Sequence, residues 1–333
     1  MIQGSSGYRI TDHAACSDLT QPLYELKMLC FGRYPGVVSP APAITRWYRR
    51  RPGMDPTLCM AALQGEQLVA SLFVTVVEMR LGGRPLPVGI VDTVMTHPEH
   101  RRQGLARRLL VEALQRMRER GLAASLLYTF PDTVPFRLYQ SLGYQPYAPT
   151  DYFHMVRSGG FRSSLHYEVR TNPPAEDVTA FLNSQLGESD GYIPLTAALW
   201  RWRKDERPAE LPISIVAVEH EGRLAGCVTL CRAPITSTSG DAFMYVLADL
   251  AIDLAADGPA VLEALLQSVP AGAEVLAPVA QAERHLQALL PGAGLARQPG
   301  ECGMVAPLSL EAAQALDTPP QSWYVAVESV VGV

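Results

Sequence analysis

Lysine is nearly missing from this chain of 333 residues, with two lysines against 26 arginines. The bias reads as a GC-rich genome more than as chemistry. Long apolar runs are missing too. None reaches the roughly 18 uncharged residues that a membrane-spanning helix needs. The opening stretch Met1–Cys16 has neither the basic start nor the apolar centre of a signal peptide. The six cysteines include no C-x-x-C pair, which argues against a disulfide scaffold and for reduced thiols in the cytoplasm. Cys227 and Cys231 find no Cys or His pair to complete four ligands, so no metal is expected.

What is present is globular: 48% hydrophobic, 18% charged and a formal charge of −5. At ~100–200 residues per domain the length suggests two domains, each with its own core. Charge divides unevenly between them. Residues 1–157 carry 18 Lys+Arg against 12 Asp+Glu, whereas residues 158–333 carry 10 against 21. A basic half suits an anion and an acidic half suits a cation. Ordinary solubility charge is the plainer explanation.

Alternating β and α segments are expected along the first half. Strands are predicted at Tyr8–Thr11, Leu58–Gln64, Gln67–Leu81, Leu86–Thr96, Ala123–Phe130 and Tyr144–Val156, with turns at Gly65-Glu66 and Gly82-Gly83. Helices are predicted at Asp18–Cys30, Ala43–Arg51, Gln103–Arg120 and Val134–Leu142. The third places Leu105, Leu109, Ala113 and Met117 on one stripe and stops at Gly121.

The second half repeats this order. Trp47 with Arg51-Pro52 is echoed by Trp202 with Arg207-Pro208, and the turn at 65–70 by the turn at 221–226. Val91-Asp92-Thr93 falls near Ala248-Asp249-Leu250. A repeat of about 155 residues means a duplicated domain, since solenoid periods are about 20–50 residues. The boundary is expected at Ser158-Gly159-Gly160, giving units 1–157 and 158–333. Trp200-Arg201-Trp202-Arg203 mixes aromatic and basic groups, but in an acidic half it reads as packing, not as a nucleic-acid surface.

The segment from Val94 to Arg107, VMTHPEHRRQGLAR, carries the most chemistry. A strand ends, a basic loop follows, and a glycine opens a helix. The first amides of a helix lack intrahelical partners and lie at its positive end. Gly104 lets the backbone approach a ligand closely. Arg101, Arg102, Arg107 and Arg108 add positive charge, which suits a pyrophosphate. The segment has neither the Gly-Lys-Ser/Thr of a Walker loop nor the Gly-x-Gly of a dinucleotide fingerprint.

Arg101-x-x-Gly104-x-Ala106 resembles the Q/R-x-x-G-x-G/A acyl-CoA loop of the GNAT acetyltransferase superfamily. Phe136–Tyr144, FRLYQSLGY, is similar to that family's closing signature, although Leu138 stands where its first aromatic would be. The resemblance implies an α/β fold, a mixed α+β sheet flanked by helices, in two tandem GNAT-like domains. It further implies that the strand end Val94, Met95 and Thr96 pairs its backbone with the pantetheine arm of acetyl-CoA, the co-substrate. Arg102, Gln103, Gly104, Leu105, Ala106 and Arg107 would surround the pyrophosphate. Phe130 and Pro131 would pack the arm from the other side, and Tyr139 would protonate the departing thiolate. Thr133 stands where the family often has asparagine.

The resemblance names no general base. Asp92 and Glu78 lie on strands near the expected acetyl position, His97 and His100 more naturally flank phosphate or solvent, and some tandem members use the C-terminal carboxylate. The second copy departs where the chemistry would be. Asp257 would repel phosphate, Pro259 removes an amide, and no tyrosine stands where Tyr139 does. The expected protein is thus an N-acetyltransferase with a working first copy and a degenerate second one that walls the acceptor pocket. Its acceptor would be the primary amine of a small cationic molecule. No nucleic-acid or membrane partner is expected, and a homo-oligomer is compatible with the sequence. The alternatives are a lysine or N-terminal protein acetyltransferase, and a non-catalytic acyl-CoA sensor.

Overall fold

A computed structural model describes residues 7–32, 41–158, 167–237 and 240–326. Most of the expected linker and the C-terminal carboxylate therefore lie outside the described residues. The first half runs β1 (Tyr8–Asp12), α1 (Thr20–Phe31), α2 (Pro42–Tyr48), β2 (Met60–Gln64), β3 (Gln67–Leu81), β4 (Arg84–Thr96), α3 (Leu105–Glu119), β5 (Ala124–Thr129), α4 (Val134–Gln140) and β6 (Gln145–Val156). The second runs β7 (Glu168–Thr171), α5 (Ala175–Leu186), α6 (Ala197–Trp200), β8 (Ile213–His220), β9 (Arg223–Ser237), β10 (Gly240–Ile252), α7 (Gly258–Leu266), β11 (Glu274–Ala280), α8 (Arg284–Gly292), β12 (Ala296–Pro307) and α9 (Leu310–Ala315). The architecture is a mixed α/β fold in which helices flank one large sheet.

The stripe on α3 has the expected destination. Leu105, Leu109, Leu110, Ala113, Leu114 and Met117 are buried against β2, β3 and β4. Each fully buried leucine contributes roughly 1.5–3 kcal/mol. The guanidinium of Arg116 ties the exposed side of α3 to β1, donating to Asp12 Oδ2 at 2.7 Å and to the Thr57 carbonyl at 2.9 Å.

Among the described residues twelve strands join in the order β1-β2-β3-β4-β5-β12-β6-β11-β10-β9-β8-β7. The centre of this order holds an exchange that the sequence pattern did not foretell. β12 of the second half pairs antiparallel with β5 of the first, from Cys302 opposite Thr129 to Pro307 opposite Ala124. In return, β6 of the first half pairs antiparallel with β11 of the second, from Thr150 opposite Ala280 to Val156 opposite Glu274. β12 and β6 pair with each other between them. Consecutive β5 and β6 thus never meet, because each half completes its sheet with a strand of the other.

Candidate active site

β4 and β5 run parallel only from Val88–Ile90 opposite Ala124–Leu126. Beyond that point they are no longer paired, and a cleft opens between their C-terminal ends. β4 bulges there. Its register with β3 jumps between Phe73–Asp92 and Ser71–Met95, and Thr93 takes a φ of 50°. A bulge bends its strand and re-aims the residues beside it.

The three predicted strand-end residues contribute unequally. The Met95 side chain is buried in the cluster under α1 with Leu23, Leu26 and Phe73, so its backbone alone is available to a ligand. The Thr96 carbonyl already accepts from Arg101 Nε at 3.3 Å and from the Cys30 thiol. Val94 is half-buried beside the α3 core.

Loop and helix then meet as predicted. Arg102 and Gly104 take left-handed conformations, with φ of 62° and 71°. A Cβ on Gly104 would meet nothing within 4 Å, so the backbone there faces open space. Among the described residues, the amides of Leu105, Ala106 and Arg107 have no acceptor, as expected of a first helical turn. Arg102, Gln103 and Arg107 are exposed, while the side chains of Leu105 and Ala106 turn inward. Arg107 leans across to donate to Ser141 Oγ at 2.5 Å, which ties the start of α3 to the end of α4. These open amides beside a cationic rim fit a pyrophosphate, with room where a side chain would otherwise stand.

On the β5 side, Phe130 is 46% exposed and its ring edge meets Tyr152 at 6.0 Å. Pro131 beside it is exposed as well. Thr133 proves to be a helix cap, accepting from the Phe136 amide and donating to the Phe130 carbonyl at 2.8 Å. Capping explains why threonine serves where asparagine is common. Tyr139 is buried in the α3 core, with its ring edge-on to Tyr144 at 5.9 Å. Its hydroxyl has no hydrogen-bond partner among the described residues. Burial, followed by the nearby Glu301 charge, raises its pKa, so Tyr139 holds its proton at neutral pH.

Of the suggested bases, Glu78 is misplaced. It is exposed on β3 opposite Pro87, before the β4–β5 pairing begins, and so lies away from the cleft. Asp92 is buried and both its oxygens are engaged, Oδ2 by the Tyr48 hydroxyl at 2.7 Å and Oδ1 by Thr93 at 2.9 Å. His100 bonds Tyr8 and His97 caps the turn that follows it.

The structure adds a carboxylate that sequence reasoning missed. Glu301 lies in the middle of β12, next to the Cys302–Thr129 pair and hence level with Phe130, close enough to Tyr139 for its charge to act there. β12 bulges there against β6, the register jumping between Pro299 and Cys302. The Tyr152 hydroxyl donates to Glu301 Oε2 at 3.1 Å, and Thr150 Oγ1 donates to the Glu301 carbonyl at 2.5 Å. Burial pushes the Glu301 carboxyl up to about 7, against the pull of Tyr152. Glutamate in a strand carries no motif, and the exchange is what seats it beside the end of β5.

The second half keeps a cleft between β10 and β11, a cavity of about 370 Å³ lined by residues that include Leu247, Ile252, Val279 and Glu283. Its bulge matches as well: Asp249 has a φ of 49° and stands where Thr93 does. Its helix start does not match, because Asp257 caps α7 by accepting from the Ala260 amide and Pro259 follows in the first turn. Cys227 and Cys231 are buried and not joined in a disulfide, and Cys231 Sγ accepts from Arg207 at 3.1 Å. Among the described residues no group of three or more His, Cys, Asp or Glu is placed to hold a metal, and no helix is long and apolar enough to cross a membrane.

A splayed strand pair, open amides at a helix start and a buried tyrosine are the features whose family is addressed by comparison with known proteins. Residues 14–147 match the acetyltransferase (GNAT) domain family. The first half therefore carries a GNAT domain, and the chain as a whole has the fold of tandem GNAT structures. A GCN5-related N-acetyltransferase from Anabaena variabilis superposes with a TM-score of 0.65 at 16% identity, over 92% of this chain and 74% of that one. A tandem GNAT protein from the clavulanic acid biosynthesis pathway superposes with a TM-score of 0.65 at 16% identity, over 91% and 99%. Eis1 from Mycobacterium abscessus gives 0.57 at 14%, over 93% and 75%. At these identities the likeness is one of fold. No curated protein sequence matches the chain.

Proposed function

We propose that the first half transfers the acetyl group of acetyl-CoA to a primary amine, and that the amine belongs to a small molecule with more than one positive charge. One observation carries the transferase reading: the splayed end of β4 leads from the open amides of α3 toward Tyr139. Acetyl-CoA would supply the activated acyl group. The backbone of Val94 and Met95 would hold its arm, the amides of Leu105–Arg107 its pyrophosphate, and Phe130 with Pro131 its other face. Tyr139 keeps its proton at neutral pH and would give it to the departing thiolate.

The units 1–157 and 158–333 divide the work in this reading. The first turn of α7 carries no arginine and its cap is Asp257, so one acetyl-CoA would bind per chain. The acidic second half stands beside the first-half cleft through β12 and would raise the local concentration of a polycationic acceptor. Soluble cytoplasmic action follows from the same reading. Its test is CoA release with acetyl-CoA and a panel of simple amines, polyamines and aminoglycosides. Turnover of polycations above monoamines is expected; release with lysine peptides alone would favour a protein acceptor, and no release with any amine would favour a sensor.

A further inference from the structure

We propose that Glu301, which the second half delivers on the exchanged strand β12, takes the proton from the acceptor ammonium in the first-half site. This rests on the acyl-transfer reading of that cleft. An ammonium has no lone pair, so some group must take one proton before nitrogen can attack. Glu301 removes that proton. The freed nitrogen pair forms the C–N bond to the thioester carbonyl carbon, and the C–S bond then breaks. Tyr139 protonates the leaving sulfur and recovers a proton from the same nitrogen as the amide forms. Glu301 returns its own proton to solvent, so the products are an amide, CoA thiol and one proton.

Position, open valence and surroundings all favour this residue. Glu301 is level with Phe130 on the strand beside β5 and near Tyr139, and Tyr152, which touches that phenyl ring, donates to its Oε2. Oε1 has no hydrogen-bond partner among the described residues and is not sealed from solvent. Asp92 has no such free oxygen. The titratable groups facing Glu301 are Tyr128 on β5, Tyr139 on α4 and Tyr152 on β6, with Cys302 beside it on β12. Among the described residues no arginine or lysine forms an ion pair with it. A half-buried carboxylate ringed by phenols stays basic enough to receive a proton near neutrality, whereas an ion-paired one would not.

The bulge supplies the geometry. Gly300 sits against Thr150 and Tyr152, and a Cβ there would lie 2.8 Å from Thr150 Oγ1 and 2.7 Å from the Tyr152 ring. This close approach seats β12 on β6 with Glu301 beside the tyrosine.

The test compares the pH dependence of kcat for wild type, Glu301→Gln and Tyr152→Phe, with acetyl-CoA affinity measured by calorimetry. Wild type should lose activity on its acidic limb with a midpoint near 7. Glu301→Gln should lower kcat about 100-fold or more and abolish that limb while acetyl-CoA affinity holds. Tyr152→Phe removes a hydrogen bond to the charged carboxylate and should move the limb to higher pH. It carries the test if Glu301→Gln fails to fold. An unchanged kcat and limb in Glu301→Gln, or an unmoved limb in Tyr152→Phe, overturns the assignment. Wild type that fails to bind acetyl-CoA overturns the acyl-transfer reading itself, and is told apart by calorimetry alone.

Discussion

Trp47 and Trp202 stack face to face with ring centroids 4.4 Å apart and planes 5° from parallel. Each indole N–H donates to the other's backbone carbonyl at 2.9 Å. Arg51 lies over the Trp202 ring and Arg207 over the Trp47 ring. The two halves therefore meet through one motif used twice, about a local twofold axis. Trp47→Ala or Trp202→Ala should each cost about 3–5 kcal/mol. Because the hydrogen bonds and the stack need both partners, the double variant should cost clearly less than the sum of the singles. Urea titrations of all four proteins measure this coupling, and additive losses would refute it.

The left-handed backbone at Gly104 and the empty space over it make two separate demands. Gly104→Ala should weaken acetyl-CoA binding moderately, through backbone strain of about 1 kcal/mol. Gly104→Trp should abolish it by filling the approach. Both should lower the melting temperature only by the few degrees that this backbone strain costs, since no protein atom lies within 4 Å of the added Cβ. Calorimetry should also count one site per chain in wild type; two equivalent sites would contradict the altered start of α7.

Tyr139 has a packed ring and a hydroxyl without a partner among the described residues, so its two roles separate cleanly. Tyr139→Phe should keep the fold and cofactor affinity while lowering turnover about 100-fold or more. Wild-type turnover in this variant, with chemistry shown to be rate-limiting, would leave the ring with packing alone. Tyr139→Ala should in addition destabilise the α3 core by about 3–5 kcal/mol.

His13 gives the fold a measurable response to acid. Burial first, and then the Arg49 charge, lower its imidazole to about 4, while its Nε2 pairs with Ser71 Oγ at 2.9 Å. The unfolded chain binds a proton at this residue below about 6.5, but the folded one does not until about 4. Stability should therefore fall as pH drops through that window, by up to about 3 kcal/mol in full. Glu301 acts in the opposite sense, since its raised pKa makes the folded chain bind the extra proton between its unfolded value and about 7. The difference between wild type and His13→Gln isolates the histidine. Parallel denaturation curves at every pH would show that His13 contributes nothing.

Acceptor charge should be visible in salt. For matched monocationic and polycationic amines, the polycation should hold the advantage in kcat/KM at low ionic strength and lose it as salt rises. Charge-independent rates without salt dependence would leave the acidity of the second half a matter of solubility.

Local pattern made much of this molecule legible. The stripe from Leu105 to Met117 gave α3 its buried face, and only its start moved, because left-handed Arg102 and Gly104 cannot join a right-handed helix. The arginine-rich loop could be read from its residues, and Tyr139 from the resemblance to the family's closing signature. The matched tryptophans announced duplication, but their stacking on each other was hidden, since repeat spacing says nothing of contact. The strand exchange was hidden for a similar reason. β6 reads as an ordinary last strand of its half, and antiparallel pairing fits either partner equally well. Glu301 was invisible as a consequence. Glu78 looked plausible on a strand near the expected acetyl position, and its register opposite Pro87 rules it out.

During synthesis the exchange sets an order of events. β5 leaves the ribosome long before β12 exists, so its edge stays open while about 170 further residues are made. An open edge of that kind attracts any other strand, including β6, the local neighbour that follows it. A nascent first half that closed on its own β6 would reach a compact but wrong sheet, and would have to reopen to admit β12. Refolding of the full chain should therefore include a slow phase absent from unfolding, and a fragment ending near residue 157 should be a conformer of that trapped kind. Activity, by this logic, waits for the last strand to be made.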